Sequence, residues 1–286
     1  MSTPGLEMVA AAPESSTRPR RRLPPTLIAG VLILGTIIAM VVAAPLLTSH
    51  HPTALSGSIL ASPGQGGHLL GTDELGRDIW ARLLYGGRTD LGVAFLAVLS
   101  PFVIGSALGA LAGYFGHWLD AVVMRIADVV VAFPFYVLVL LLVFVLGPGT
   151  RSIIIAITSV SWVSYARIVR GETLVAKADE YVLAAKVGGL SDLRVIVRHI
   201  LPNVISQAIV FAMSDIVLDL LAIVTLGYLG LGIRPPSPDW GDMMATGQQF
   251  LSTHWELTTI PGIAVVLTGL GLSLIGDGLA DALRPE

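Results

Sequence analysis

Residues 166–203 read ARIVRGETLVAKADEYVLAAKVGGLSDLRVIVRHILPN, the one long polar stretch of this chain outside its N-terminal tail. Apolar runs flank it on both sides. Residues 179–187 are expected to form a short helix. Gly188-Gly189 would end it, because glycine takes the left-handed conformation at a helix C-terminus without steric cost. Ser191 is a plausible N-cap for a second helix reaching Leu201, on which Val195 would tolerate Leu. Pro202, unable to donate a backbone hydrogen bond, suits the start of the next helix. Ala184 and Ala185 leave a shallow surface into which another protein could close. An ordinary amphipathic loop would show the same spacing.

The chain has 286 residues, of which 54% are hydrophobic and 13% charged. Soluble domains carry about 25% charged residues, so this deficit places the chain in a bilayer. Mean hydropathy is +0.79. A net charge of -3 is near neutral and by itself says nothing about nucleic acid, though no nucleic-acid partner is expected; the absence of Cys excludes disulfides and thiolate metal sites. Six segments approach the roughly 20 apolar residues a spanning helix needs: Leu27–Leu47, Leu91–Gly113, Val129–Gly149, Ser152–Ala166, Asn203–Ile233 and Leu257–Gly276. The third ends at Gly147-Pro148-Gly149, a stop signal. The fourth is short and would borrow the next turn, with Arg167 and Arg170 snorkelling to the interface.

Six spans put both termini on one side. That side would carry 12 of the Lys and Arg residues, and the other side Arg77, Arg82, Arg88, Arg151 and Arg234. Positive charge marks the cytoplasmic face, so the termini and the polar loop are expected inside. The resulting division is a disordered tail over 1–25, a first transmembrane helix over 26–48, an external segment over 49–88, and a permease core over 89–286. The core contains a cytoplasmic loop at 167–202 and an external loop at 234–256. The first apolar run exceeds the 7–15 residues or so of a signal h-region, so it is read as a retained span. Gly105, Gly109 and Gly113 recur every four residues, which lets helix backbones approach closely.

Within the spans, Asp215 and Asp219 stand one helical turn apart on one face. Ionisable groups at membrane depth usually face the protein interior or a water-filled path. They would either line a translocation path or make a bond between helices. Outside, Asp73, Glu74, Arg77 and Asp78 form a cluster that would touch an external protein or a gate, or pair with itself. His50, His51 and His68 lack the helical i, i+4 arrangement of a metal site, and no metal is expected. There is no G-x-x-x-x-G-K-[ST] loop to cradle phosphates and no H-E-x-x-H, so an enzyme is not expected. A secondary transporter not driven by ATP would show inverted halves and broken helices, and no such symmetry is visible.

The pattern Ala184-Ala185, Gly189, Leu201-Pro202 resembles the cytoplasmic signature of ABC importer permeases. In that signature Glu-Ala-Ala is followed after three residues by Gly, and after nine more by Ile-x-Leu-Pro. Leu183 stands at the family's Glu and His199 at its Ile. The wording EYVLAAKVGGLSDLRVIVRHILPN looks like the dipeptide, oligopeptide and nickel branch. HLLGTDELGRDIWARLLYGGR (68–88), WLDAVVMRIADVVVAFP (118–134) and LGYLGLGIRPPSPDWGDMM (226–244) agree with it in order. The nearest likeness is to the dipeptide permease C type. Ile223 stands where that family often has Glu.

The resemblance implies an all-α integral membrane protein, a type I ABC importer transmembrane domain with six transmembrane helices. It implies a coupling helix near Glu180–Gly188, supported by Ala184, Ala185, Gly189, His199, Leu201 and Pro202. The implied partners are two cytosolic ABC ATPase subunits, a second permease subunit, an external substrate-binding protein and the lipid bilayer of a bacterial plasma membrane. ATP and Mg would be used by the partner subunits, with no cofactor bound by this chain. The implied cargo is dipeptides or oligopeptides, with nickel or a metal chelate as the alternative. The charge asymmetry yields one direct test. A Cys placed at Ser191 should resist an impermeant thiol reagent added outside intact cells and react once the membrane is opened. Labelling from outside would refute the orientation.

Overall fold

The computed structural model describes residues 24–283. The predicted tail lies outside them, apart from its last two residues. The described chain is helical: α1 (Pro25–Val42), α2 (Ala44–Leu47), α3 (Ile79–Phe115), α4 (His117–Val131), α5 (Phe135–Leu146), α6 (Thr150–Ala176), α7 (Glu180–Val187), α8 (Asp192–Val195), α9 (Leu201–Tyr228), α10 (Trp240–Gly247) and α11 (Glu256–Leu283). Five helical stretches are long and apolar enough to cross a membrane, and the bent pair α4–α5 makes a sixth. Backbone polar groups have no water to bond within a bilayer, so a continuous helix satisfies them internally.

Several predicted boundaries move. The span expected over Val129–Gly149 is two helices bent by 90°. The bend falls at Pro134, which caps α5. The residue before a proline is steered away from helical geometry, and a uniformly apolar run hides that break. The expected loop 167–202 is also shorter. Residues 167–176 complete α6, and Asp192 leads in unbroken helix to Tyr228. α3 begins at Ile79, ten or so residues earlier than its apolar core, and α11 runs on to Leu283. α9 ends at Tyr228 rather than Ile233, and α10 sits inside the expected external loop.

The glycine stripe on α3 is the close contact with α6. A methyl group at Gly105 would stand 2.7 Å from the Tyr165 Cβ, at Gly109 2.9 Å from the Ala166 Cα, and at Gly113 2.9 Å from the Arg170 carbonyl oxygen. The α6 backbone therefore lies directly on the stripe. α1 and α11 pack the same way and antiparallel: Gly30 abuts the Gly271 carbonyl and Ile275, while Gly278 abuts Leu27. α9 runs against α11, with Val217 beside Gly269 and Met213 beside Gly276. Lys177 Nζ donates to the Gly113 carbonyl at 2.9 Å, and the Tyr114 hydroxyl bonds Asp192. These contacts put the start of α1, the end of α11 and residues 177–200 at one end of the bundle, as six crossings require. Residues 68–78, α10 and the start of α11 gather at the other, where Arg82 binds Asp73 and Asp242.

Core overpacking costs about 1–3 kcal/mol and more where backbone must move. Gly109→Leu should therefore lower the yield and the thermal midpoint of the detergent-purified protein. Gly92→Ala on the same helix should not, since nothing lies within 4 Å of a Cβ there. Equal thermal midpoints for the two variants would refute this account of the α3–α6 contact.

Candidate coupling loop and translocation path

The loop is built around one buried anchor. Val182, on the inner face of α7, is fully buried beside Val195, Ile196 and Ile200. Ala185 packs against that cluster, whereas Glu180, Ala184 and Gly188 are exposed. Of the two alanines, then, only Ala184 belongs to the open surface. Exposed apolar side chains share α7 with it, Tyr181, Leu183 and Val187, the last 89% exposed, and Leu193 and Val197 are exposed further along the loop. Val195 is fully buried, so the tolerance of Leu expected there does not fit its surroundings.

α7 ends as the two glycines suggest, with the roles divided. Gly188 has an ordinary φ of -69° and Gly189 has φ 80°. Nothing lies within 4 Å of a Cβ at Gly189. The requirement there is the left-handed backbone and not space. Ser191 precedes α8, but its side chain makes no capping bond. The second short helix does not stop at Leu201. It passes through a π turn at Ile196–Ile200, where the Leu201 N–H bonds the Ile196 carbonyl. Pro202 then sits in the first turn of α9. Pro202 has no N–H to offer its preceding turn, and the wider π turn accommodates that loss. His199 is half-buried in this turn, and its carbonyl accepts from Asn203 Nδ2 at 2.7 Å.

The loop is tied to the spans by polar contacts that sequence reading missed. The Tyr114 hydroxyl donates to Asp192, and Lys186 Nζ lies 4.6 Å from the centre of the Tyr114 ring. Arg170 forms a two-point ion pair with Asp120, and Arg167 pairs with Asp128 at 2.8 Å. The two arginines expected to snorkel to the interface thus hold α4 against α6.

Deep in the bundle, Asp215 and Asp219 lie on one face of α9 and are both buried. The Tyr165 hydroxyl donates to Asp215 Oδ2 at 2.7 Å. Asp215 also lines a cleft of about 400 Å³, whose walls include Phe133, Ser161, Ser164 and Phe211. Asp215 thus bonds a neighbouring helix and borders a cleft. Neither oxygen of Asp219 has a hydrogen-bond partner among the described residues.

At the opposite end, the charge cluster expected outside is turned inward. Asp73 Oδ2 accepts from Arg77 Nε at 2.6 Å and faces Arg82 Nε at 3.4 Å. Glu74 accepts from Arg77 at 3.2 Å. Asp78 caps α3 by accepting from the Ala81 N–H at 2.7 Å. Asp73 and Asp78 are buried; Glu74 and Arg77 are half-buried. Behind them Asp239 caps α10, accepting from the Asp242 and Ile233 amides at 3.1 and 3.3 Å. Burial pushes its carboxyl above the usual carboxylate range, and those amide donors pull the other way. Asp90 accepts from the Trp240 amide at 2.9 Å, fastening α10 to α3. Only Asp239 carried a local signal, an acidic residue three positions before Asp242 at a helix start.

The stretch from the glycine stripe through the loop to α11 matches the family model for binding-protein-dependent transport system inner membrane components over residues 105–286. The chain belongs to that family. This permease is 38% identical over 259 residues to the dipeptide transport system permease protein DppC of Alkalihalophilus pseudofirmus, covering 91% of this chain and 85% of that one. It is 40% identical over 259 residues to DppC of Bacillus subtilis, covering 90% and 81%. It is 40% identical over 219 residues to the glutathione transport system permease protein GsiD of Pectobacterium atrosepticum, covering 77% and 73%. Among solved structures, inward-facing conformations of the MetNI methionine ABC transporter share its fold. The TM-score is 0.54 at 18% identity, over 72% of this chain and 98% of that chain. The fold is thus the type I ABC importer transmembrane domain. The chain is a multi-pass membrane permease of an ABC importer and not an enzyme.

Unpartnered buried groups cost about 1–3 kcal/mol, and that separates the two acids. Asp215→Leu should destabilise the purified protein by roughly that amount, because it strands the Tyr165 hydroxyl. Asp219→Asn removes a carboxylate that has no bond to lose and should leave the thermal midpoint equal or higher. A large loss of stability in Asp219→Asn would show that its carboxylate has a partner.

Proposed function

We propose that this permease forms half of the translocation path of an ATP-driven, binding-protein-dependent importer for dipeptides and oligopeptides in a bacterial plasma membrane. The peptide reading rests on the relatives, whose names specify dipeptide and glutathione transport. Glutathione is itself a small peptide, so the two names share a chemistry: a short backbone with a cationic amino end. In this reading a second permease completes the path, two cytosolic ATPase subunits dock on the coupling loop, and an external binding protein delivers the peptide. ATP and Mg are used by the ATPase subunits.

The observation that carries the coupling role is the construction of α7. One face is pinned to the bundle by buried Val182, and the other presents Ala184 among exposed apolar side chains. Such a surface is costly in water and favourable once covered. Glu180, Ala184 and Gly188 would meet the ATPase groove. Ala185 and Gly189 would hold α7 at its angle, and His199, Leu201 and Pro202 would join it to α9. Closure of the ATPase pair would move the loop, and α9 would carry that motion to Asp215 and Asp219 as a rigid body. The Asp215 cleft offers an acidic wall to the peptide's amino end.

The test is a transport assay with the assembled importer in proteoliposomes. Ala184→Trp places bulk on the exposed face. Gly189→Val forces a β-branched residue into a left-handed conformation, at a cost of about 1–2 kcal/mol or more. Both should insert normally and reduce ATP-dependent dipeptide uptake at least tenfold, with ATPase subunits that detach or hydrolyse ATP without transport. Gly171→Ala, which meets nothing within 4 Å, should transport normally. Wild-type uptake in both loop variants would rule out docking at this surface.

A further inference from the structure

Three side chains from separate stretches converge at the end of the bundle opposite the coupling loop. His50 follows α2, His68 follows the 3-10 turn Gln65–Gly67, and Asp78 caps α3. Capping occupies only Asp78 Oδ1, which accepts from Ala81. Oδ2 faces two imidazoles: it is hydrogen-bonded to His68 Nδ1 at 2.8 Å, and His50 Nδ1 lies 3.8 Å away. The two rings are tilted by 37° with centroids 4.6 Å apart. All three donor atoms lie within 4.8 Å of one another. His68 and Asp78 are buried, while the His50 side chain is 39% exposed, which leaves one side of the group open to solvent. The neighbouring cation, Arg77, is turned to Asp73 and Glu74.

Two imidazole nitrogens and one carboxylate oxygen, with an open fourth position, form the donor set of a zinc-type ion. Ligands about 2.0–2.1 Å from a tetrahedral zinc stand roughly 3.3 Å from one another. The 2.8 and 3.8 Å distances to Asp78 bracket that spacing, and the exposed His50 ring is free to turn into place. Binding releases the proton that His68 and Asp78 share in their hydrogen bond. Calcium and magnesium prefer all-oxygen sets and would find only one such ligand here. The residues are interleaved in sequence with the acidic cluster, which is why neither the histidine spacing nor the GTDELGRD run suggested the site alone. We propose that His50, His68 and Asp78 bind one divalent transition-metal ion of the zinc type, with water as fourth ligand. The ion fastens the irregular segment 48–78 onto the first turn of α3. Closing the chain between residues 50 and 78 removes loop entropy from the unfolded segment. The Asp215 cleft is built by other helices, so the ion is a resident of the external segment and not cargo.

The experiment uses the full chain, purified in detergent and stripped with chelator. Zinc, nickel and magnesium are titrated by calorimetry, and cobalt is used as an optical probe of tetrahedral coordination. One zinc per chain should bind with micromolar or tighter affinity and raise the thermal midpoint, and magnesium should not compete. His50→Gln leaves the His68–Asp78 contact intact, so the metal-free thermal midpoint should match wild type. Zinc affinity should nevertheless fall by at least the roughly 10–100-fold that losing even an outer-shell partner costs. Three outcomes overturn the proposal: no stoichiometric zinc on the wild-type chain, unchanged affinity in His50→Gln, or equal binding of magnesium. The second of these would leave His68 and Asp78 as a purely structural pair.

Discussion

The contact between the α3 and α6 backbones sets the spacing of the bundle. In a bilayer, lipid tails are as apolar as Leu, so burial in water does not drive helices together. Close approach has to come from removing side chains. Gly105, Gly109 and Gly113 do this against Trp162, Ala166 and Arg170. With α6 held there, Tyr165 comes within reach of Asp215, Lys177 reaches the Gly113 carbonyl, and Arg170 meets Asp120 on α4. The glycine pairs between α1 and α11 repeat the device, and they close the bundle so that its first and last described helices share an end.

Polar interactions then build the two ends of the molecule differently. At the α7 end, the polar contacts join short helices to long ones through Tyr114, Asp192 and Lys186. They leave an exposed apolar face. At the other end the charges are consumed internally: Arg82 is buried between Asp73 and Asp242, and Asp90 holds Trp240. A buried arginine is tolerated only when paired, so that end is stiff where the loop end is open.

What the sequence made legible was what short-range chemistry decides. Gly189 needed a left-handed backbone and the glycine stripe needed a partner helix, and both local rules hold. Pro202, expected at a helix start, instead follows the π turn inside a helix continuous from Asp192. The 90° bend at Pro134 was lost because the apolar run on both sides reads as one span. The extent of α6 was misjudged because its last turns are polar yet helical, satisfied by Asp120 and Asp128 on a helix some 40–50 residues earlier. The pairings Asp90–Trp240 and Arg82–Asp242 join residues 150 and 160 positions apart. No spacing rule reaches that far.

The π turn at Ile196–Ile200 has an angular consequence. A helix turns about 100° per residue, and a π turn absorbs one residue beyond the α-helical count. Everything from Leu201 onward is therefore rotated about the helix axis relative to the loop that precedes it. The azimuth of α9, and so the direction in which Asp215 and Asp219 face, is indexed to the loop around α7 by that single extra residue. Conversion of the π turn to regular helix would swing the two acids by about a quarter of a revolution. The loop and the cleft are thus geared, with a tooth one residue wide.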